Sequence, residues 1–259
     1  MGNILREVNQ MKSWGDIGFE IEITKDNSPT LRLLHSVDPE KPYGESMHHS
    51  GGASLETTYM YGNPIARVLR NVKGPHFMVV GLGLGYIEMN IAREALKLGR
   101  PVGLITSYES IPELREFFWS WLHDRRDKIH PEVLNVYDEA LKHVLIGEVI
   151  TPTEIKAFLK QHFNSVDDIE GSLEQDVVLK SRYHGFLYDA YSSKTTPHLW
   201  DEDFLKRFFF EGAAEQSLLS TYACKGSMKR ALRGNGFEVI DRPGLFGKRN
   251  STLATKNIP

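Results

Sequence analysis

Three glycines and two acids hold the chemistry this chain could perform. Gly81, Gly83 and Gly85 follow the apolar run Phe77-Met78-Val79-Val80. Glycines at alternate positions let backbone approach a ligand with no Cβ in the way. Such loops also serve close strand–helix packing without a ligand. Here the loop follows an apolar strand and opens a helical pattern (Ile87, Ile91, Ala92, Ala95, Leu96), the context a cofactor shelf requires. Glu109 ends the next apolar run, where an acid accepts hydrogen bonds from ribose hydroxyls; a solvated strand end is the plainer alternative. Asp189 ends a third run, Tyr183 to Tyr188. A carboxylate there suits an amine. It holds the amine through a charge-assisted hydrogen bond and takes up the proton shed as nitrogen attacks. Tyr191 offers a ring to stack on a flat substrate or line its pocket. The plainer role for Asp189 is to cap the turn at Ser192 to Lys194.

These residues need a parallel sheet to bring them together. Strand, glycine turn and crossover helix are the opening unit of a doubly wound α/β domain, whose ligands bind beyond the carboxyl ends of the strands. Ahead of it, Ile17 to Thr24 alternates with period two, placing Ile17, Phe19, Ile21 and Ile23 on one face. With the turn at Asp26-Asn27-Ser28-Pro29 and the run Leu31 to His35 it predicts a hairpin. Ser36 to Gly52 is a loop, and Leu55 to Leu69 is helical with an interruption at Gly62 and Pro64. Residues 111 to 165 are helix-rich, with apolar stripes that belong to a core. Thr151-Pro152-Thr153-Glu154 marks a helix start that runs to about Phe163. The third strand is expected near Val166 to Glu170 and a fifth at Leu218 to Ala223. A helix at Gly226 to Asn235 precedes a closing pair, Phe237 to Ile240 and Ser251 to Thr255. The division expected is 1–70, hairpin and lip packed on the core, and 71–259, the main domain with a helical insertion at about 111–165.

Composition excludes several classes. A chain of 259 residues with net charge −3 gives no bulk electrostatic case for nucleic acid. One cysteine, Cys224, excludes an intramolecular disulfide and points to a reducing compartment; it is expected as a small buried hydrophobe. No stretch approaches the roughly 20 apolar residues of a membrane span, and no secretory leader is visible at the N-terminus, so a cytoplasmic protein is expected. His48-His49 lacks the accompanying spacing of a metal site, and no metal is expected. Gly81 to Glu109 is 28 residues, longer than the roughly 20 of nicotinamide-binding domains, which disfavours a dehydrogenase. Residues 225 to 256 hold eight bases (Lys225, Lys229, Arg230, Arg233, Arg242, Lys248, Arg249, Lys256) against Glu238 and Asp241. That window is either a phosphate-binding face or a solvated basic one.

Several segments together resemble one family. Asp189-Ala190-Tyr191-Ser192-Ser193-Lys194-Thr195-Thr196-Pro197-His198-Leu199-Trp200 is similar to the D-x-F-x-P-x-K-N-P-x-[LM]-W motif of the MnmC/MnmD-type methyltransferases. Gly44-Glu45-Ser46-Met47-His48 with Gly52-Ala53 and Glu56 resembles their G-E-x-M-H-S-x-x-G-A-x-x-E segment. Gly81 to Gly85 resembles their G-[FL]-G-x-G loop. Ser220 to Ala223 with Met228 to Leu232 and Gly236-Phe237 resembles a strand–helix pair, and Gly247-Lys248-Arg249 resembles a G-x-K-R loop one residue short. The departures are Tyr191 for Phe, Ser193 for Pro, Thr195 for Lys, Thr196 for Asn, His49 for Ser and Ile87 for Asn. Ser172 replaces an acid after Gly171.

The resemblance implies an α/β, Rossmann-like class I methyltransferase fold with an N-terminal β-hairpin extension. It implies S-adenosylmethionine as cofactor and the aminomethyl group of tRNA wobble uridine as methyl acceptor, with tRNA as partner. A separate FAD-dependent oxidase acting on the same nucleoside is a further implied partner. Gly81, Gly83, Gly85, Glu109, Met47, His48, Gly171 and Ser172 would bind cofactor. Asp189 would be catalytic, and Tyr191, Lys194, Lys248 and Arg249 would meet substrate. The alternatives are a polyamine-synthase-like aminopropyltransferase, a small-amine methyltransferase, and a non-catalytic binding module on this fold.

Overall fold

The computed structural model describes residues 11–36, 43–247 and 250–259. Its centre is a six-stranded sheet. The strands are β3 (His76–Val80), β4 (Leu104–Tyr108), β5 (Tyr183–Tyr188), β6 (Ala213–Thr221), β7 (Glu238–Pro243) and β8 (Asn250–Lys256), in the order β4-β3-β5-β6-β8-β7. The first four in that order are parallel; β8 runs antiparallel between β6 and β7. Two further strands, β1 (Phe19–Ile23) and β2 (Pro29–Leu33), form the separate hairpin.

Alternation along β3 divides the core. Phe77 and Val79 point to one face of the sheet, Met78 and Val80 to the other. The first face is covered by α2 (Asn63–Asn71), α3 (Tyr86–Leu98), α4 (Pro112–Leu122), α5 (Pro131–Val144) and α6 (Pro152–Lys160), and the hairpin's Phe19 and Leu31 join the same cluster. The second is covered by α7 (Glu202–Gly212) and α8 (Gly226–Gly234), through Phe204, Phe208, Met228 and Leu232. The helix-rich block is thus three helices, α4 to α6. The expected start of α6 is a capping box: Thr151 accepts from the Glu154 amide and Glu154 reaches back to Thr151. Thr151→Ala is expected to cost about 1 kcal/mol of stability, read as a lowered thermal midpoint with cofactor affinity unchanged.

Several expectations need correction. Ile17 lies in a 3₁₀ turn (Gly15–Ile17), and Ile23 is 62% exposed, so the hairpin's apolar face ends at Ile21. The interruption expected at Gly62 and Pro64 is a π turn that ends at Gly62, and the helix does not stop there. It runs on through α1 (Ala53–Thr57), a π turn (Thr58–Gly62) and α2, and Pro64, lacking an N–H, leaves the Met60 carbonyl four residues back without its α-helical donor. No third strand forms near Val166 to Glu170. Val166–Asp168 is a 3₁₀ turn, and Glu170 makes only a single parallel bridge to Tyr108. Cys224 is exposed rather than buried, because β6 has ended and the chain is turning into α8. Among the described residues, no helix is long and apolar enough to cross a membrane.

Candidate active site

A cavity of about 390 Å³ opens at the carboxyl ends of β3, β4 and β5. The glycine loop forms its floor. Gly81 has φ +94°, and a Cβ there would stand 2.7 Å from the Asp189 carbonyl oxygen. Two chain segments thus touch backbone to backbone, which brings Asp189 beside the loop. The Gly81 and Leu82 amides both donate to the Tyr108 carbonyl (3.0 and 3.2 Å), fixing the turn. Gly83 also lies on the cavity, with φ +51° and Met47 Sδ 3.1 Å from where its Cβ would be. Gly85 does not line it. The Phe118 ring occupies the place a Cβ would take, so this glycine serves helix packing.

Glu109 is 8% exposed and lines the cavity. Its Oε2 accepts from the Gly83 amide and its Oε1 from the Ile111 amide, both at 3.0 Å. Burial raises its pKa, opposed by those amides, the Ser110 amide and the charge of Arg115. Met47 and His48 form part of the opposite lip. His48 Nδ1 bonds Thr30 Oγ1 at 2.8 Å, and its ring meets the Tyr86 ring edge-on. Gly171 and Ser172 do not line the cavity; the next residue, Leu173, does, together with Ser110, so that end is apolar with one hydroxyl.

Asp189 sits where β5 ends, one strand from the glycine loop. Tyr61 Oη donates to its Oδ1 at 2.6 Å. Tyr222 closes the same corner and donates to the Ala190 carbonyl (2.9 Å). Burial and then the charge of Asp189 push both phenols up, so at neutral pH they are protonated donors. Tyr191 lines the cavity, and its buried hydroxyl has no hydrogen-bond partner among the described residues. The turn that follows Asp189 has a carboxylate cap. Glu45 provides it, accepting from the Ser192 amide (3.1 Å), Ser192 Oγ (2.9 Å) and Thr195 Oγ1 (2.9 Å), and so ties the lip to the substrate loop.

The basic window is largely spent inside the molecule. Lys229 pairs with Asp241 (2.5 Å), Arg230 with Glu202 (2.6 Å), and Lys225 donates to Ser193 (2.7 Å). Arg242 is turned inward onto the π turn. Lys194 is exposed and stands off the cavity. Lys248 and Arg249 lie outside the described residues. Sequence reasoning gave no role to Tyr61, Tyr222, Glu45 or Glu56, all of which line the cavity. Glu45, Glu56 and Tyr222 were visible as motif positions; Tyr61 carried no signal.

Glu88 lies on α3 behind the loop. Ser107 Oγ donates to its Oε1 at 2.6 Å, and its Oε2 has no partner among the described residues. Burial pushes its pKa from 4.5 up to about 8. In that interval the folded chain keeps a proton that the unfolded chain releases, so stability falls as pH rises from 4.5 toward 8. Glu88→Gln is expected to remove that decline and to gain on the order of 3 kcal/mol at pH 8, measured as thermal midpoints across pH.

Comparisons with known proteins agree with this geometry. Residues 137–257 match a family described as S-adenosyl-L-methionine-dependent methyltransferase. Over 242 residues the chain is 22% identical to an uncharacterized protein of Methanocaldococcus jannaschii, covering 90% of this chain and 58% of that one. Over 71 residues it is 35% identical to an Azoarcus protein named tRNA 5-methylaminomethyl-2-thiouridine biosynthesis bifunctional protein MnmC, covering 27% of this chain and 11% of the relative. The chain therefore spans little more than half of the first relative and a small part of the second. The crystal structure of MNMC2 from Aquifex aeolicus superposes with a TM-score of 0.62 at 22% identity, covering 93% of this chain and 71% of that one.

The chain carries a Rossmann-like, S-adenosylmethionine-dependent methyltransferase domain. Within that class its motifs resemble the MnmC/MnmD type. The residues present fit S-adenosylmethionine: the backbone of Gly81 to Gly83 lies bare on the cavity, and a buried carboxylate lines it just beyond the end of β4.

Proposed function

We propose that this protein is an N-methyltransferase whose acceptor is the aminomethyl group of tRNA wobble uridine. The observation that carries the reading is the placement of Asp189, a strand-end carboxylate held by Tyr61 and packed backbone to backbone on Gly81. The name of the Azoarcus relative supports tRNA as the acceptor.

The bound cofactor supplies an electrophilic methyl group on sulfur. The chain supplies alignment and a proton acceptor. Gly81 and Gly83 would hold the methionine end, Glu109 the ribose hydroxyls, and Leu173 the base, with Met47 and His48 as the lip. Asp189 would hold the acceptor amine through a charge-assisted hydrogen bond and take up its proton as the new N–C bond forms and the methyl–sulfur bond breaks, the electron pair staying on the departing thioether. Tyr191 lines the approach of the flat uridine ring. Lys194, Lys248 and Arg249 are the remaining candidates for phosphate contacts. In this reading the protein works in the cytoplasm, and a separate FAD-dependent oxidase acting on the same nucleoside remains a further partner.

The test is methyl transfer from labelled S-adenosylmethionine into total tRNA that lacks the modification, followed by nucleoside analysis. A labelled methylaminomethyl uridine is expected. Cofactor binding without label in tRNA would discard tRNA and direct the search to small amines.

A further inference from the structure

We propose that Tyr61 is the positioning residue of this site, fixing the carboxylate of Asp189, and that Arg242 and Ser220 hold the π turn that carries it. The proposal rests on the reading of Asp189 as the group that handles the acceptor amine.

The helical run that α1, the π turn and α2 make together would place Tyr61 differently if it were α-helical throughout. A π turn inserts one residue, and each residue of an α-helix turns the following side chain by about 100°. The inserted residue disturbs the regular hydrogen-bond ladder, Pro64 has no N–H to offer the Met60 carbonyl four residues back, and that carbonyl finds partners outside the helix. Ser220 Oγ donates to it from β6, and Arg242 Nη1 donates to it from β7 at 3.2 Å. Arg242 is fixed in turn. Its Nε donates to Ser251 Oγ (2.9 Å), its Nη2 to Ser220 Oγ (3.0 Å), and its guanidinium lies over the Tyr59 ring at 5.2 Å. Burial lowers its pKa, the cost of desolvating a cation.

What this machinery secures is one side chain. Tyr61 is 2% exposed, and its hydroxyl lies 2.6 Å from Asp189 Oδ1 and 3.3 Å from the Tyr188 carbonyl oxygen. Both acceptors belong to the end of β5. A carboxylate with one oxygen so held has a fixed orientation, which is what alignment of an amine for in-line attack requires. π turns occur mostly as single interruptions of this kind at functional sites.

Two measurements test this. The first needs neither cofactor nor acceptor: carboxyl ¹³C resonances of aspartate-labelled protein are followed across pH, with Asp189 identified by its loss in Asp189→Asn. Tyr61→Phe keeps the ring and removes a donor to the charged carboxylate, so the Asp189 midpoint is expected to rise by about one pH unit. Among the described residues, Glu45 on the lip, Glu56 on α1, Glu88 on α3, Glu109 beyond β4, Tyr191 and Tyr222 also bear on this corner, and all are unchanged in the variant. An unmoved midpoint overturns the proposal. Arg242→Gln is expected to move the same resonance in the same direction; no movement removes Arg242 from the arrangement.

The second measurement is a double-mutant cycle in methyl transfer. Tyr61→Phe is expected to lower kcat about tenfold with cofactor affinity unchanged, and Tyr61→Phe with Asp189→Asn to be no slower than Asp189→Asn alone. A Tyr61 loss repeated in full on the Asp189→Asn background overturns the proposal. Full turnover in Asp189→Asn alone instead removes Asp189 from the mechanism, and the resonance then still decides whether Tyr61 holds it.

Discussion

Gly81→Ala is expected to lose cofactor binding beyond measurement while the protein still folds. A Cβ at position 81 would stand 2.7 Å from the Asp189 carbonyl oxygen, and the atom it meets is backbone that cannot swing aside. The positive φ of +94° adds strain for any residue but glycine. Relief requires the loop to move away from β5, which disturbs the Gly83 amide bonded to Glu109 and with it the ribose end of the shelf. Gly99→Ala is the matched control. Gly99 also has positive φ (+60°), caps α3, and has nothing within 4 Å of its missing Cβ. That variant is expected to lose about 1 kcal/mol of stability and to bind cofactor as the parent does. Calorimetric titration of both with S-adenosylmethionine separates the outcomes. Cofactor affinity within twofold of the parent in Gly81→Ala would remove the loop from the cofactor site.

Asp189→Asn is expected to slow methyl transfer about 10²- to 10⁴-fold, the range of a lost proton acceptor. Asparagine keeps the size of the side chain and an oxygen for Tyr61 Oη, so packing at the end of β5 is preserved. It cannot accept the proton of the attacking amine. Single-turnover rates with saturating cofactor isolate this step, because Asp189 stands beside the glycine loop without forming its floor. Cofactor affinity is expected to hold within a few-fold. A rate within twofold of the parent would exclude Asp189 as the proton acceptor.

Much of this site was readable before any coordinates. β3, β4 and β5 announce themselves because each is a short apolar run closed by a glycine or an acid, and those closing residues are the ones that face the cavity. The capping box of α6 is written in four consecutive residues, so it too was legible. What was hidden depends on where distant segments meet. Gly85 looks like Gly81 and Gly83 in the sequence, and only the Phe118 ring behind it gives it a different purpose. Arg242 looks like a surface base until β7 places it against Met60. Tyr61 follows a helical pattern, and a one-residue change of helical register cannot be seen in hydrophobic periodicity. The third strand was sought by analogy with a complete sheet, whereas the chain at 166–168 turns tightly and leaves a single bridge at Glu170.

Because the sheet stops at β4, the chain from 170 to 180 is fastened rather than woven in. The Glu109 amide donates to the Glu170 carbonyl (3.0 Å), the Glu170 amide donates to Ser107 (2.8 Å), and Lys180 pairs with the Glu170 carboxylate. Such a segment can swing out without unzipping a strand, and in hydrogen exchange it would open at far lower free energy than the sheet beside it. Leu173 rides on it. In the proposed reading Leu173 lies at the nucleobase end of the shelf, on the far side of β3 from Asp189, so opening of this segment would uncover that end alone. Spent cofactor would then leave by that side while the proposed acceptor still occupied the front, so the two ligands would not need to depart in the order in which they came.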